Sequence, residues 1–142
     1  MKIYFSCSLT GGRADEAAYS AIVDELQARG HAVLTAHLAR AGVMDEELVA
    51  DPWAVYERDV AWIGEADVLI AEVSTPSHGV GYEIALALGL RKPVLCCYRQ
   101  GVRVSKMITG NNSPGLALLA YGDLSQLMLD LHALLSGPAT PG

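Results

Sequence analysis

Two short stretches carry residue types that can hold an anion and present a carboxylate. The first is Ser8-Leu9-Thr10-Gly11-Gly12-Arg13. Its paired glycines let backbone approach a ligand, and Arg13 adds a fixed positive charge. Between a strand and a helix, such a loop also offers the unpaired N–H groups of the helix start, which suits a phosphate. It is neither GxGxxG nor a P-loop, so dinucleotide and nucleoside-triphosphate chemistry do not follow from it. A plain structural turn is the competing reading. The second stretch, Ser77-His78-Gly79-Val80-Gly81-Tyr82-Glu83, flanks an apolar residue with glycines and ends on a carboxylate near a helix start. A Glu in a first helical turn often only complements the helix dipole. Facing a pocket and partly buried, the same residue would be a nucleophile or base.

Other polar residues are less decisive. Asp59 falls in the mixed-charge run Tyr56-Glu57-Arg58-Asp59-Val60, where a solvated carboxylate is the default. Tyr4 sits mid-strand, where a core ring with a satisfied hydroxyl is the default. His37 follows the second strand and reads either as a loop histidine or as a ligand contact. Cys7 stands alone, and Cys96-Cys97 are consecutive strand residues pointing to opposite faces. With no CxxC and no zinc spacing, the thiols read as small buried hydrophobes, and neither metal nor organic cofactor is expected. Ser8, Ser77 and Ser105 lack a G-x-S-x-G elbow, which argues against an α/β-hydrolase.

These residues are positioned by alternating elements. Strands are expected at Lys2–Ser6, His31–Thr35, Asp67–Val73, Val94–Tyr98 and Gly115–Tyr121. Helices are expected over 14–29 (Ala18, Ile22 and Leu26 at helical spacing, Gly30 as the stop), from Pro52 to about Glu65 behind an Asp51 cap, from about Gly81 to Leu90, and over 123–135. Residues 38–51 show no clear period, and 99–114 read as a long loop. Five strands alternating with helices specify a doubly wound α/β domain (flavodoxin- or Rossmann-like), a five-stranded parallel sheet with helices on both faces. Ligands bind such sheets at the carboxyl ends of the strands, which singles out the loops at 8–13, 36–40 and 74–83.

The chain has 142 residues and is 51% hydrophobic, enough for one core and one domain over residues 1–136, with 137–142 expected to be a disordered tail. Ten Lys+Arg against sixteen Asp+Glu leave a net charge of −6. That balance disfavours nucleic-acid polymers and anionic membranes but leaves room for a small anion. No apolar run approaches the ~20 residues of a membrane span, and no signal-peptide pattern opens the chain, so a cytoplasmic setting is expected.

Tyr4-Phe5-x-x-Ser8-x-x-Gly11-Gly12-Arg13, Asp59-x-x-Trp62-x-x-x-Ala66-Asp67-Val68 and Ser77-x-Gly79-Val80-Gly81-Tyr82-Glu83 together resemble the nucleoside 2-deoxyribosyltransferase superfamily. The likeness is nearest to its hydrolytic branch, the 2′-deoxynucleoside 5′-monophosphate N-glycosidases, and runs from about Lys2 to Leu135. The resemblance implies that Glu83 attacks C1′ of the sugar, that Tyr4 orients that carboxylate, and that Asp59 assists protonation of the departing base. It implies that Cys7, Ser8, Leu9, Thr10, Gly11, Gly12 and Arg13 cradle the 5′-phosphate with Ser77 and Gly79, and that Tyr19 and His37 contact ligand. Ser105, Lys106 and Met107 match a segment that reaches the partner subunit's site, implying a homodimer. Two positions depart from the pattern: Cys7, where the family commonly has Gly, and Thr10, where a basic residue can occur. Base exchange by a transferase, a non-catalytic nucleotide-binding module, and activity on ribonucleotides stay open as alternatives.

Overall fold

In the computed structural model, residues 1–9, 12 and 14–137 are described. Five parallel strands, β1 (Lys2–Ser6), β2 (Ala32–Val33), β3 (Val68–Glu72), β4 (Val94–Arg99) and β5 (Leu116–Tyr121), form one sheet in the order β2-β1-β3-β4-β5. The helices are α1 (Glu16–Ala28), α2 (Val43–Val49), α3 (Pro52–Glu65), α4 (His78–Gly89), the single turn α5 (Lys106–Thr109) and α6 (Leu124–Ser136). The doubly wound arrangement expected from the sequence is therefore present, with its strand order reversing between β1 and β3.

Strand alternation divides the core. Ile3, Phe5, Val68 and Ile70 face one way, joining Tyr19, Ile22 and Leu26 of α1 and Leu127 and Leu131 of α6. Tyr4, Leu69 and Ala71 face the other way, against Ile63 of α3 and Val80, Ile84 and Ala87 of α4. At roughly 2 kcal/mol per fully buried large aliphatic side chain, these two half-cores supply the main drive for folding.

Caps set the helix boundaries. Asp51 accepts from Ala54 N–H at 3.0 Å and Pro52 occupies the first position of α3, as its sequence indicates. Asp123 accepts from Ser125 and Gln126 N–H to start α6. Asp67 acts as a strand-start cap, accepting from Lys2 N–H at 2.7 Å.

The main differences from the sequence reading lie in the second strand, the start of the fourth helix and the 99–114 loop. The second strand is two residues long, not five, because Thr35 folds its side chain back onto β1. Its hydroxyl accepts from Phe5 N–H at 2.9 Å and donates to Phe5 C=O at 2.6 Å, occupying ladder positions that backbone would otherwise fill. A 3-10 turn over Ala36–Ala39 follows. The fourth helix begins at His78, three residues early, because Ser77 caps it by accepting from Val80 N–H. Within 99–114, Ser105 caps the turn α5 through Met107 N–H at 3.2 Å. The tail expectation for 137–142 falls, beyond Gly137, outside the described residues.

Candidate active site

The strand order reverses between β1 and β3, so the carboxyl ends of these strands diverge into a crevice. A cavity of about 300 Å³ opens there, lined by Cys7 and Leu9 after β1, by Glu47 of α2, by Val55, Tyr56, Asp59, Val60 and Ile63 of α3, and by Ser77, Gly79, Val80, Tyr82, Glu83 and Leu86 at and along α4.

Glu83 is its chemical centre. With Ser77 as the cap, Glu83 is the sixth residue of α4, in the second turn and not at the helix start. The dipole-complementing role expected of a first-turn Glu therefore weakens, since that effect falls off within the first turn. Burial takes over and pushes the carboxyl up to about 7, and the nearby Asp59 charge adds to the effect. Opposing them, Ser6 Oγ donates to Glu83 Oε2 at 2.5 Å, favouring the ionised form. The sequence reading missed Ser6. Its signal was strand alternation, which places Ser6 on the same sheet face as Tyr4.

Tyr4 sits directly behind this carboxyl. Its side chain is fully buried, and its hydroxyl neighbours the Glu83 carboxyl, the one side chain whose hydrogen bonding bears on its titration. Burial, followed by the charges of Glu83 and Asp59, raises its pKa far beyond the ordinary phenol value, so it stays protonated as a donor aimed at the site.

Asp59 is not solvated. Its side chain is 16% exposed and accepts from Arg58 Nε at 2.8 Å, while Arg58 also reaches Glu47 at 3.5 Å and lies 5.0 Å over the Trp62 ring. The overlooked signal is that Val55, Asp59 and Ile63 recur at helical spacing, which sets Asp59 inside an apolar stripe. Arg58 and Glu47 carried no sequence motif. Tyr56, one turn before Asp59, faces Tyr82 with hydroxyls 3.4 Å apart at the cavity mouth.

The other expected site residues divide. Cys7, Leu9, Ser77 and Gly79 line the cavity. Ser8 is fully buried beside it in sequence. Gly12 has φ +122°, a conformation that favours glycine, and a Cβ there would lie 3.7 Å from Thr75 Cγ2. Thr10, Gly11 and Arg13 lie outside the described residues. His37 stacks edge-on against Trp62 at 5.7 Å, behind the cavity, with its pKa lowered by burial and by Arg58. Tyr19 is on the opposite sheet face, fully buried and edge-on to Phe5 at 6.3 Å, so the fold does not bring it to Glu83. Ser105, Lys106 and Met107 are exposed and do not line the cavity of their own chain. Among the described residues, no group of three or more His, Cys, Asp or Glu side chains is placed to hold a metal ion, and no helix is long and apolar enough to cross a membrane.

A doubly wound parallel sheet with a partly buried carboxyl at its switch point defines the class: an α/β protein whose acidic groups face a crevice. Within that class, residues 3–119 match the nucleoside 2-deoxyribosyltransferase family, and the chain belongs to it. A Tetraodon nigroviridis protein named 5-hydroxymethyl-dUMP N-hydrolase is 42% identical over 140 residues, covering 94% of this chain and 98% of that protein. The Mus musculus protein of the same name is 46% identical over 112 residues, 76% of this chain and 64% of its own length. Among solved structures, a Clostridium botulinum CMP N-glycosidase superposes with a TM-score of 0.72, covering 94% of this chain and 99% of that one at 17% identity, a likeness of fold.

Proposed function

We propose that this protein hydrolyses the N-glycosidic bond of nucleoside 5′-monophosphates, with 2′-deoxynucleotides as the first class to test, releasing free base and sugar 5-phosphate. The observation that carries the reading is the partly buried Glu83 carboxyl, held by Ser6 and flanked by Tyr4 and Asp59 in a cavity at the sheet's switch point. The names of the N-hydrolase relatives support the bond and the 5′-phosphate.

Breaking a C1′–N bond builds positive charge on the sugar ring, which a carboxylate stabilises. In the reaction proposed, Glu83 forms a C1′–O bond as the C1′–N pair leaves with the base, and Asp59 assists by relaying a proton from solvent to that base. Water then attacks C1′ of the glycosyl–Glu83 ester, giving up a proton as the carboxylate departs. Tyr4, protonated throughout, donates to Glu83 and orients it. The 5′-phosphate lies against the 7–13 loop with Ser77 and Gly79, where Arg13 supplies the countercharge, and Tyr19 and His37 contribute from outside the cavity wall.

The same reading makes the enzyme a homodimer in the cytoplasm, formed by residues 1–136. Met107 is 82% and Trp53 65% exposed, large apolar surfaces that a second copy would cover while Ser105, Lys106 and Met107 approach its cavity. The three buried thiols, none of them in a disulfide, suit a reducing compartment.

The test is chromatographic detection of free base released from deoxy- and ribonucleoside 5′-monophosphates and from the matching nucleosides, with wild type and Glu83→Gln side by side. Release from monophosphates, lost by about 10³-fold or more in the variant, is expected. The family model's own description, a deoxyribosyltransferase, favours base exchange as a second reading. Formation of a new nucleoside on adding an acceptor base would establish that instead.

A further inference from the structure

Outside the cavity, on the α1 side of the same sheet edge, Asp15 holds a position that its local role does not explain. It stands at the N-cap of α1, where an aspartate ordinarily accepts a hydrogen bond from its own helix, yet it makes no such bond. Its carboxylate is instead committed outward: Oδ2 accepts from Thr75 Oγ1 at 2.9 Å and Oδ1 from Arg99 Nε at 2.6 Å. The Asp15 side chain is only 5% exposed, so the carboxylate end of these charge-assisted bonds is desolvated, while Arg99 stays about half exposed.

Thr75 is the junction. Its hydroxyl reaches Asp15, two residues after Arg13, while its methyl faces Gly12 at 3.7 Å from where a Cβ would stand. The loop bearing Thr75 leads within two residues to Ser77, which lines the cavity and caps α4. Below it, Ser74 is pinned: its Oγ accepts from Arg99 N–H at 2.8 Å and donates to the fully buried Glu72, which also accepts from Tyr121 OH at 3.1 Å. The loop after β3 is therefore fixed to β4 and β5, and Asp15 ties the start of α1 to that fixed loop, with Gly12 packed against the same Thr75.

We propose that Asp15 is a positioning residue for the substrate's 5′-phosphate: through Thr75 and Arg99 it clamps the start of α1 and Gly12 against the loop after β3, so that Gly12 and Ser77 meet the phosphate in one geometry. This rests on the 5′-phosphate reading above. Neither Asp15, Thr75 nor Arg99 lines the cavity holding Glu83, so the clamp acts on binding and leaves the bond-breaking groups in place.

The test measures kcat and KM for a deoxynucleoside 5′-monophosphate, and inhibition by inorganic phosphate, in wild type, Asp15→Asn, Thr75→Val and Thr75→Ser. Asp15→Asn and Thr75→Val should raise KM and the phosphate inhibition constant together, by about tenfold, which is about 1.4 kcal/mol. In both, kcat should stay within about threefold. Thr75→Ser keeps the hydroxyl and should stay within about twofold of wild type. A merely structural role would lower the active fraction and hence kcat, leaving KM and phosphate inhibition unmoved, and would overturn the proposal. So would Thr75→Ser behaving like Thr75→Val. If wild type itself neither prefers monophosphates over nucleosides nor is inhibited by phosphate, the 5′-phosphate reading has failed. If wild type shows both and the variants keep its constants, the clamp alone has failed.

Discussion

Replacing Glu83 by Gln should make the protein more stable while abolishing base release, and the gain should depend on pH in a defined way. The Glu83 carboxyl is pushed from its ordinary 4.5 up to about 7 in the folded chain, chiefly by burial. A carboxyl raised above its unfolded value disfavours folding once it must ionise. Its contribution is therefore most favourable below pH 4.5 and is lost as the pH rises to about 7. At about 1.4 kcal/mol per pH unit, the full displacement amounts to about 3 kcal/mol, and residual solvent contact reduces that to about 2. Gln removes the charge but keeps the shape. Ser6 Oγ can still donate to its carbonyl, and the Tyr4 hydroxyl can accept from its amide. Denaturant unfolding at pH 5 and pH 8 would measure the difference. At pH 8 the variant should be more stable by about 2 kcal/mol, several degrees in Tm for a chain of this size, and at pH 5 by less than about 1. A gain equal at both pH values would refute electrostatic burial as its cause. A loss at pH 8 would mean that the carboxylate is better solvated than this cavity allows.

The acidic limb of kcat/KM should rise through about pH 7 as Glu83 ionises, and Ser6→Ala, which removes a bond favouring the carboxylate, should move that limb to higher pH in a pH–rate profile. Asp59→Asn should cut kcat for base release by roughly 10²–10⁴-fold, and a substrate whose base leaves without protonation should recover much of that loss. Asp51→Ala should cost about 1 kcal/mol in denaturant unfolding by uncapping α3, with kcat/KM per folded molecule unchanged.

Much of this was legible in local pattern. Lys2–Ser6 reads as a strand from its β-branched and aromatic run, and Asp51-Pro52 announces α3, because strand propensity and capping act within a few residues. The short second strand was not legible, since Thr35 ends it through bonds to Phe5, thirty residues away. Asp59 read as solvated because its neighbours Glu57 and Arg58 are charged. Its burial depends on α3 packing its Val55–Ile63 stripe toward the cavity, and on Arg58 turning back to pair with it. Glu72, by sequence simply the end of an apolar strand, gave no warning of a fully buried carboxylate held by Ser74 and Tyr121.

The order of strands and helices, the cap that starts α3 and the residue types available at the carboxyl edge of the sheet can all be read from local pattern. Those depend on hydrophobic period and on hydrogen bonds between near neighbours. Which of them meet depends on how the chain packs. Ser6 and Glu83 are 77 positions apart and touch because β1 lies beside β3 and α4 returns over the same face. Asp15 and Arg99, 84 apart, pair because α1 and β4 reach the same sheet edge. Desolvation follows from that assembly, and it is desolvation that turns an ordinary helical glutamate into a carboxyl poised near neutral pH.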